Sequence, residues 1–282
     1  MPKKLSQSIK EAKTLINRAD SILLITGAGM SVESGIPTYR GNNGLWEKEI
    51  IINNIAYSYD EISSLKMWKE FPELAWGFKS KFYSILAETK PHSGYFKLLE
   101  KIKQKFNDNY FVCTSNIDGF FKKSGFDPEK IYEMHGTMDL FQCMDKSCNL
   151  RNGIQLLNKI PSYDENMMVK KLPKCKNCSN LLRPNVSMFG DDEFYQVPYK
   201  YQRNKLEKFI SNANQMVILE IGCGINPHSL RMENGKMLSG EWKMPKIKKD
   251  TPYIRINPME EKTPPNQVHI PLGATKGVIS IF

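Results

Sequence analysis

Short apolar runs that end at glycines or polar turns recur along the 282-residue chain and constrain its fold more than any other feature. The run Ser21–Thr26 leads directly into Gly27, as expected of a buried strand that delivers the chain into a tight loop. Helical patterns separate the runs, which is typical of an α/β protein with a parallel sheet and helices on both faces. The predicted strands are Ser21–Thr26, Tyr110–Thr114, 131–134, Met216–Ile221, Tyr253–Ile256 and 268–270.

Two segments depart from this alternation. Residues 62–105 have helical patterning that Pro72 and Pro91 divide into three predicted helices, so we expect a helical module there. Residues 139–183 hold four of the six cysteines but no long periodic segment, which indicates an inserted module held together by something other than a hydrophobic core.

Composition excludes several classes of protein. The 40 basic and 30 acidic side chains give a net charge of +10, but the lysines are scattered, so we expect no dedicated nucleic-acid surface. The apolar runs are far shorter than the roughly 20 residues that span a bilayer, so no membrane partner is expected. The first residues lack the apolar stretch of a secretory signal, and we expect a cytoplasmic location.

The spacing of four cysteines predicts a metal site. Cys143 and Cys148 form one pair, and Cys175 and Cys178 form a second. Two such pairs can supply four thiolates to one Zn²⁺ ion, and a closed shell of four sulfurs leaves no position for water, so the ion would be structural. Free thiols or two redox pairs are the alternatives.

The loop after the first strand is a candidate phosphate site. Gly27, Ala28 and Gly29 would let the backbone approach a ligand closely, and amides at the start of a helix favour anions. Val32 stands where the dinucleotide fingerprint would have its third glycine, so the residues alone leave a phosphate loop and an ordinary tight turn both open.

Polar residues follow the next two predicted strands. Ser115, Asn116 and Asp118 come after the second, and His135 comes after the third. Ligands collect at the carboxyl ends of parallel strands, and a neutral imidazole there could accept a proton. Ordinary turn chemistry and a packed histidine are the alternative explanations.

The full string that follows the first strand closely resembles the signature of the sirtuins, which are NAD-dependent protein deacylases. It comprises residues 27–41, read as GAGMSVESGIPTYRG, followed by Gly44, Leu45 and Trp46. Thr38 departs from the aspartate that sirtuins usually have there. The resemblance implies NAD contacts at Gly27, Ala28, Gly29, Ser31, Tyr39 and Arg40.

Later segments continue the resemblance and imply roles for individual residues. His135 would be the catalytic base, Asn116 would position the ribose and a water molecule, and Asp118 would hold the hydrogen bonds of the site. Ser115 replaces the glutamine of the family, and Cys223 and Gly224 replace its Thr-Ser pair. Further cofactor contacts are implied at Ser115, Asn116, Asp118, Gly222, Cys223, Gly224, Asn257 and Ala274.

The segment 182–191 resembles the stretch by which sirtuins hold an acylated-lysine peptide. Read physically, it is an extended segment that ends at Gly190 and can pair with a peptide backbone, although a plain connecting strand is the alternative. The resemblance implies that Val186 and Phe189 line the tunnel for the acyl-lysine, next to Gly190.

These observations together predict a Rossmann-type NAD-binding domain that carries two insertions. The expected boundaries are 1–45, 107–138 and 184–282 for that domain, 46–106 for the helical insertion and 139–183 for the zinc module. The implied function is NAD-dependent lysine deacylation that releases nicotinamide and O-acyl-ADP-ribose. Two alternatives stay open, namely ADP-ribosyl transfer to protein or water, and a catalytically silent module that senses NAD or ADP-ribose.

Overall fold

The computed structural model describes residues 5–38, 49–224, 232–233, 236–237, 247–248, 250–259 and 267–282. The strands are β1 Ser21–Thr26, β2 Ile50–Ile52, β3 Ile55–Tyr57, β4 Tyr110–Thr114, β5 Ile131–Glu133, β6 Gly136–Cys143, β7 Leu182–Val186, β8 Met216–Ile221, β9 Met232–Glu233, β10 Lys236–Met237, β11 Tyr253–Ile256 and β12 Gln267–Ile270. The helices are α1 Leu5–Arg18, α2 Tyr59–Ile62, α3 Leu65–Glu70, α4 Pro72–Glu88, α5 Ser93–Phe106, α6 Phe120–Lys123, α7 Lys146–Asn152, α8 Val197–Asn212 and α9 Ala274–Ile281. Short 3₁₀ helices span Ala28–Ser34 and Pro128–Lys130.

The predicted parallel sheet is confirmed. Its strands lie in the order β12-β11-β8-β1-β4-β5, and every neighbouring pair is parallel. The chain builds outward from β1 in one direction through β4 and β5, and then in the other through β8, β11 and β12. The strand order therefore reverses at β1, as in doubly wound dinucleotide-binding folds.

Helices cover both faces of the sheet, which explains why its strands are continuous apolar runs. Every residue of β1 is buried. On one face, side chains of α1, α5 and α9 pack against Ile22 and Leu24, whereas Tyr199 and Leu206 of α8 pack with Leu23 and Ile25 on the other. No helix in the described ranges combines the length and the apolar character needed to cross a bilayer.

A smaller module lies beside the sheet domain. Helices α2, α3 and α4 share a hydrophobic cluster with Phe141 and Val169, which come from the cysteine-containing segment. Trp76 of α4 donates from Nε1 to the carbonyl of Leu182 over 2.8 Å and stacks on Phe141. The helical and cysteine segments thus form one packed body.

Helix α5 packs with the sheet domain, although it lies inside the segment predicted as the helical insertion. Its residues Tyr95, Leu98 and Ile102 belong to the same cluster as β1. The end of the helical insertion at residue 106 remains a prediction. Because α5 packs with the sheet domain, an insertion that ends before residue 93 is favoured.

Candidate active site

The register of the sheet gathers five loops at one edge. Thr26, the last residue of β1, pairs with Thr114 of β4 and with Ile221 of β8. Thr114 in turn pairs with Glu133, and Ile221 pairs with Ile256. Because these strands end in one row, the loops that follow them meet where the strand order reverses, which is where ligands bind in such sheets.

The glycines after β1 are needed for contact between two loops. The Gly27 amide donates to the Ile221 carbonyl over 3.1 Å, and the Gly29 amide donates to the Gly222 carbonyl over 2.9 Å. A Cβ atom on Gly29 would lie 2.6 Å from the Gly222 Cα, and one on Gly27 would lie 2.8 Å from the Gly222 oxygen. Gly222 itself has a φ of +66°. Close backbone packing therefore explains these glycines independently of any ligand.

Three of the predicted site residues form one hydrogen-bonded cluster. The Ser31 hydroxyl donates to Asp118 Oδ2 over 2.6 Å, and Asn116 Nδ2 donates to Ser31 Oγ over 3.0 Å. Asp118 Oδ1 accepts from the Phe120 amide over 2.9 Å. All three side chains are buried. The cluster joins the 3₁₀ helix after β1 to the loop after β4.

Tyr95 also belongs to this cluster, and sequence reasoning did not identify it. Its hydroxyl lies 2.8 Å from Ser31 Oγ, and the residue is fully buried. The available signal was the position of Tyr95 on the apolar stripe of α5, because a buried tyrosine hydroxyl usually has a hydrogen-bond partner.

The electrostatics of the cluster are set by burial. Burial raises the pKa of Asp118 above its ordinary value, and the hydrogen bonds from Ser31 and Phe120 oppose that rise. Both carboxylate oxygens accept hydrogen bonds, which favours the ionised form at neutral pH.

His135 lies after β5 at the same edge and is half-buried. Desolvation lowers the pKa of its imidazole to about 4, although a hydrogen bond with the Ser115 backbone acts in the opposite direction. The backbone carbonyl of His135 accepts from the Ser187 amide over 2.9 Å, which ties this loop to the segment after β7. The imidazole is therefore neutral near pH 7 and able to accept a proton.

The loop after β8 presents its backbone and not the Cys223 side chain. Cys223 is buried, and its Sγ points toward the carbonyls of Ile25 and Ile221 at 3.8 and 3.9 Å. Asn257 Nδ2 donates to the Cys223 carbonyl over 3.1 Å, so this predicted cofactor residue supports the loop. Gly224 is exposed.

The start of α9 meets the loop after β1. Ala274 is buried in the core of the sheet domain. The Thr275 amide donates to Glu33 over 3.0 Å, and the Thr275 hydroxyl lies 2.9 Å from His92 Nδ1. Tyr39 and Arg40, which are predicted cofactor contacts, lie outside the described residues.

The predicted substrate segment connects the two parts of the molecule. Val186 is buried in the core of the sheet domain, and Phe189 is half-buried with its ring 6.3 Å from that of Tyr59. The Phe189 amide donates to the Ser63 carbonyl over 3.3 Å. Part of the backbone of the segment 182–191 is therefore already hydrogen-bonded to another part of this chain. Gly190 is exposed and has a φ of +64°.

The four predicted metal ligands converge. Their Sγ atoms all lie within 4.8 Å of one another, with 3.4 Å between Cys143 and Cys178 and 3.6 Å between Cys148 and Cys175. Zinc–sulfur bonds of about 2.3 Å in a tetrahedron place sulfurs about 3.8 Å apart. A disulfide needs about 2.05 Å. Gln155 Nε2 donates to the Cys175 sulfur over 2.9 Å, which favours a thiolate. The four residues therefore fit a structural zinc ion.

Comparison with known proteins places these features in a family. The model of the Sir2 family matches residues 27–223. An NAD-dependent protein deacylase from Thermococcus kodakarensis is 31% identical over 235 residues, which cover 80% of this chain and 82% of that protein. Proteins with the same name from Thermococcus sibiricus and Aquifex aeolicus are each 32% identical, and the matches cover 65% and 62% of their lengths, a little under two thirds.

Solved structures show the same fold. A mutant Sir2 homologue in complex with ADP-ribose superposes with a TM-score of 0.70 at 20% identity, over 96% of this chain and 94% of that one. A Sir2 homologue in complex with NAD gives 0.69 at 22% identity, over 96% and 91%. At these identities the likeness concerns the fold alone. The match of the family model over most of the chain, together with the relative from Thermococcus kodakarensis, shows that the chain belongs to the Sir2 family.

Proposed function

We propose that the chain is an NAD-dependent protein lysine deacylase. Acyl-lysine, NAD and water would give free lysine, nicotinamide and O-acyl-ADP-ribose. The observation that carries the proposal is the joining of Ser31, Asn116 and Asp118 at the carboxyl edge of the sheet, where His135 follows the neighbouring strand. The curated relatives that match are named NAD-dependent protein deacylases.

In this proposal NAD supplies a ribose carbon that becomes electrophilic as nicotinamide leaves. His135, held neutral by desolvation, would accept a proton from a ribose hydroxyl of NAD. Asn116 has its amide nitrogen engaged by Ser31, so its oxygen is available as an acceptor. Backbone groups of the loops at Gly27, Gly222 and Cys223 would hold the dinucleotide.

The partner in this proposal is a protein or peptide that carries an acylated lysine. Val186, Phe189 and Gly190 would bind it beside the small module. A zinc ion at the four cysteines would hold residues 139–183 in the folded form, because the local core is otherwise small. We also propose a cytoplasmic location, which suits reduced thiolate ligands, and a surface without a dedicated nucleic-acid site.

The products distinguish this function from its alternatives. Purified protein is incubated with NAD and an acetyl-lysine peptide, and the mixture is analysed by mass spectrometry. Deacetylated peptide and O-acetyl-ADP-ribose in equal amounts are expected. Free ADP-ribose without loss of acetyl groups would instead indicate NAD hydrolysis, and a protein mass increased by ADP-ribose would indicate transfer. Absence of nicotinamide with every acyl peptide tried would refute an enzymatic role.

A further inference from the structure

The first turn of α5 holds the loop after β1 at three points. The His92 amide donates to Ser34 Oγ over 2.9 Å, and His92 Nε2 lies 2.7 Å from the Met30 carbonyl. Tyr95 lies on the same turn and also faces the loop, and its hydroxyl lies 2.8 Å from Ser31 Oγ. We propose that Tyr95 is a positioning residue for the reaction, because its hydroxyl fixes Ser31 and thereby orients the amide of Asn116. This inference rests on the proposed deacylase function.

The direction of each hydrogen bond follows from the number of protons available. Asp118 accepts at both oxygens, so the single proton of the Ser31 hydroxyl is given to Asp118 Oδ2. Ser31 Oγ can then only accept from its other neighbours. Tyr95 must therefore donate to Ser31, and the high pKa of its hydroxyl, caused by burial and by the nearby Asp118, keeps that proton in place.

The same count of available protons fixes the orientation of the Asn116 side-chain amide. Its side chain lies 3.0 Å from Ser31 Oγ, and because Ser31 has no second proton to donate, the amide group that faces it is the NH₂ group. The Asn116 amide nitrogen is therefore held by the same Ser31 oxygen to which Tyr95 donates. Among the described residues, no hydrogen bond engages Asn116 Oδ1, which leaves this oxygen to face the substrate.

Burial makes the tyrosine hydroxyl hard to replace. Tyr95 is fully buried, Ser31 is 1% exposed and Asn116 is 9% exposed, so bulk water has no access to the hydroxyl. The ring packs edge to face on Phe120 and Phe121, and these contacts do not need the hydroxyl. A Tyr95→Phe variant should therefore fold normally and lose the hydrogen bond to Ser31.

The test compares Tyr95→Phe with a matched control, Tyr110→Phe. Tyr110 is a buried tyrosine of the same core whose hydroxyl accepts from the Asp127 amide at the opposite end of β4. We expect kcat for nicotinamide release at saturating NAD and peptide to fall about 10-fold in Tyr95→Phe, with KM for NAD changed less than 3-fold. In Tyr110→Phe, kcat should stay within 2-fold of the unsubstituted protein. Equal kcat in both variants would overturn the inference.

A double-mutant cycle tests whether Tyr95 acts through Ser31. In a Ser31→Ala background, Tyr95→Phe should lower kcat less than 2-fold, because the acceptor is already gone. The same 10-fold loss of kcat in both backgrounds would refute the inference that Tyr95 acts through Ser31, and would indicate a general packing role for Tyr95.

A measurement without the reaction separates this inference from the proposed function. In NMR spectra, the side-chain NH₂ protons of Asn116, assigned through their loss in Asn116→Ala, should exchange with water at least 10-fold faster in Tyr95→Phe than in the unsubstituted protein. Unchanged exchange would refute the positioning role even if the protein is an active deacylase. Faster exchange in a protein that releases no nicotinamide would uphold the orientation of Asn116 and refute the proposed function.

Discussion

The low pKa of His135 should make the protein less stable as the pH falls, and replacement by glutamine should remove that effect. The pKa is about 4 in the folded chain and 6.5 ordinarily, because desolvation disfavours the charged imidazole. Between these values the unfolded chain binds a proton that the folded chain does not, so acidification favours unfolding. The destabilisation is almost absent at pH 7, amounts to about 2 kcal/mol at pH 5 and approaches roughly 3.4 kcal/mol below pH 4.

Urea unfolding at pH 7 and pH 5 measures this effect. Other groups titrate in the same range, so two proteins are compared. The quantity of interest is the unfolding free energy lost between pH 7 and pH 5 in the unsubstituted protein, minus the free energy lost over the same interval in His135→Gln. We expect about 2 kcal/mol for that difference. A difference below about 0.5 kcal/mol would refute the reasoning, because it would mean that water reaches the imidazole in the folded state. A direct NMR titration of the His135 ring should then give a value near 6.5 instead of 4.

Three other perturbations test the site. His135→Ala should lower deacylation at least about 100-fold while calorimetric NAD affinity stays within about 3-fold, and retained turnover would remove His135 from its proposed role. Gly222→Ala should lower the unfolding free energy by about 3 kcal/mol in urea, because its Cβ would lie 2.4 Å from the Gly29 carbonyl carbon. Gly190→Ala, at nearly the same φ but with nothing within 4 Å of the added Cβ, should cost only about 1 kcal/mol, and equal losses would refute the close-contact argument. Cys175→Ser should lose bound zinc by elemental analysis and at least about 3 kcal/mol of stability, whereas a variant with one zinc per chain and unchanged stability would contradict the four-thiolate site.

Much of the fold could be predicted from local patterns. The six strands of the sheet are apolar runs long enough to be buried on both faces, and a parallel arrangement places their carboxyl ends together. The convergence of the two cysteine pairs could also be predicted, because their spacing along the chain is that of metal ligands. The roles assigned to individual site residues remain proposals, although Ser31, Asn116 and Asp118 do lie in contact.

The tertiary structure decided what no local pattern contains. The sequence contains the strand ends, the glycines and the polar turns, because each depends on residues close together in the chain. Tyr95 reaches Ser31 across 64 positions, and Cys223 turns its sulfur into the core toward Ile25. Gly222 requires its small size because of Gly29, far earlier in the chain. Contacts of this kind arise only when the sheet register and the helix packing bring distant segments together, so they could be read only from the folded chain.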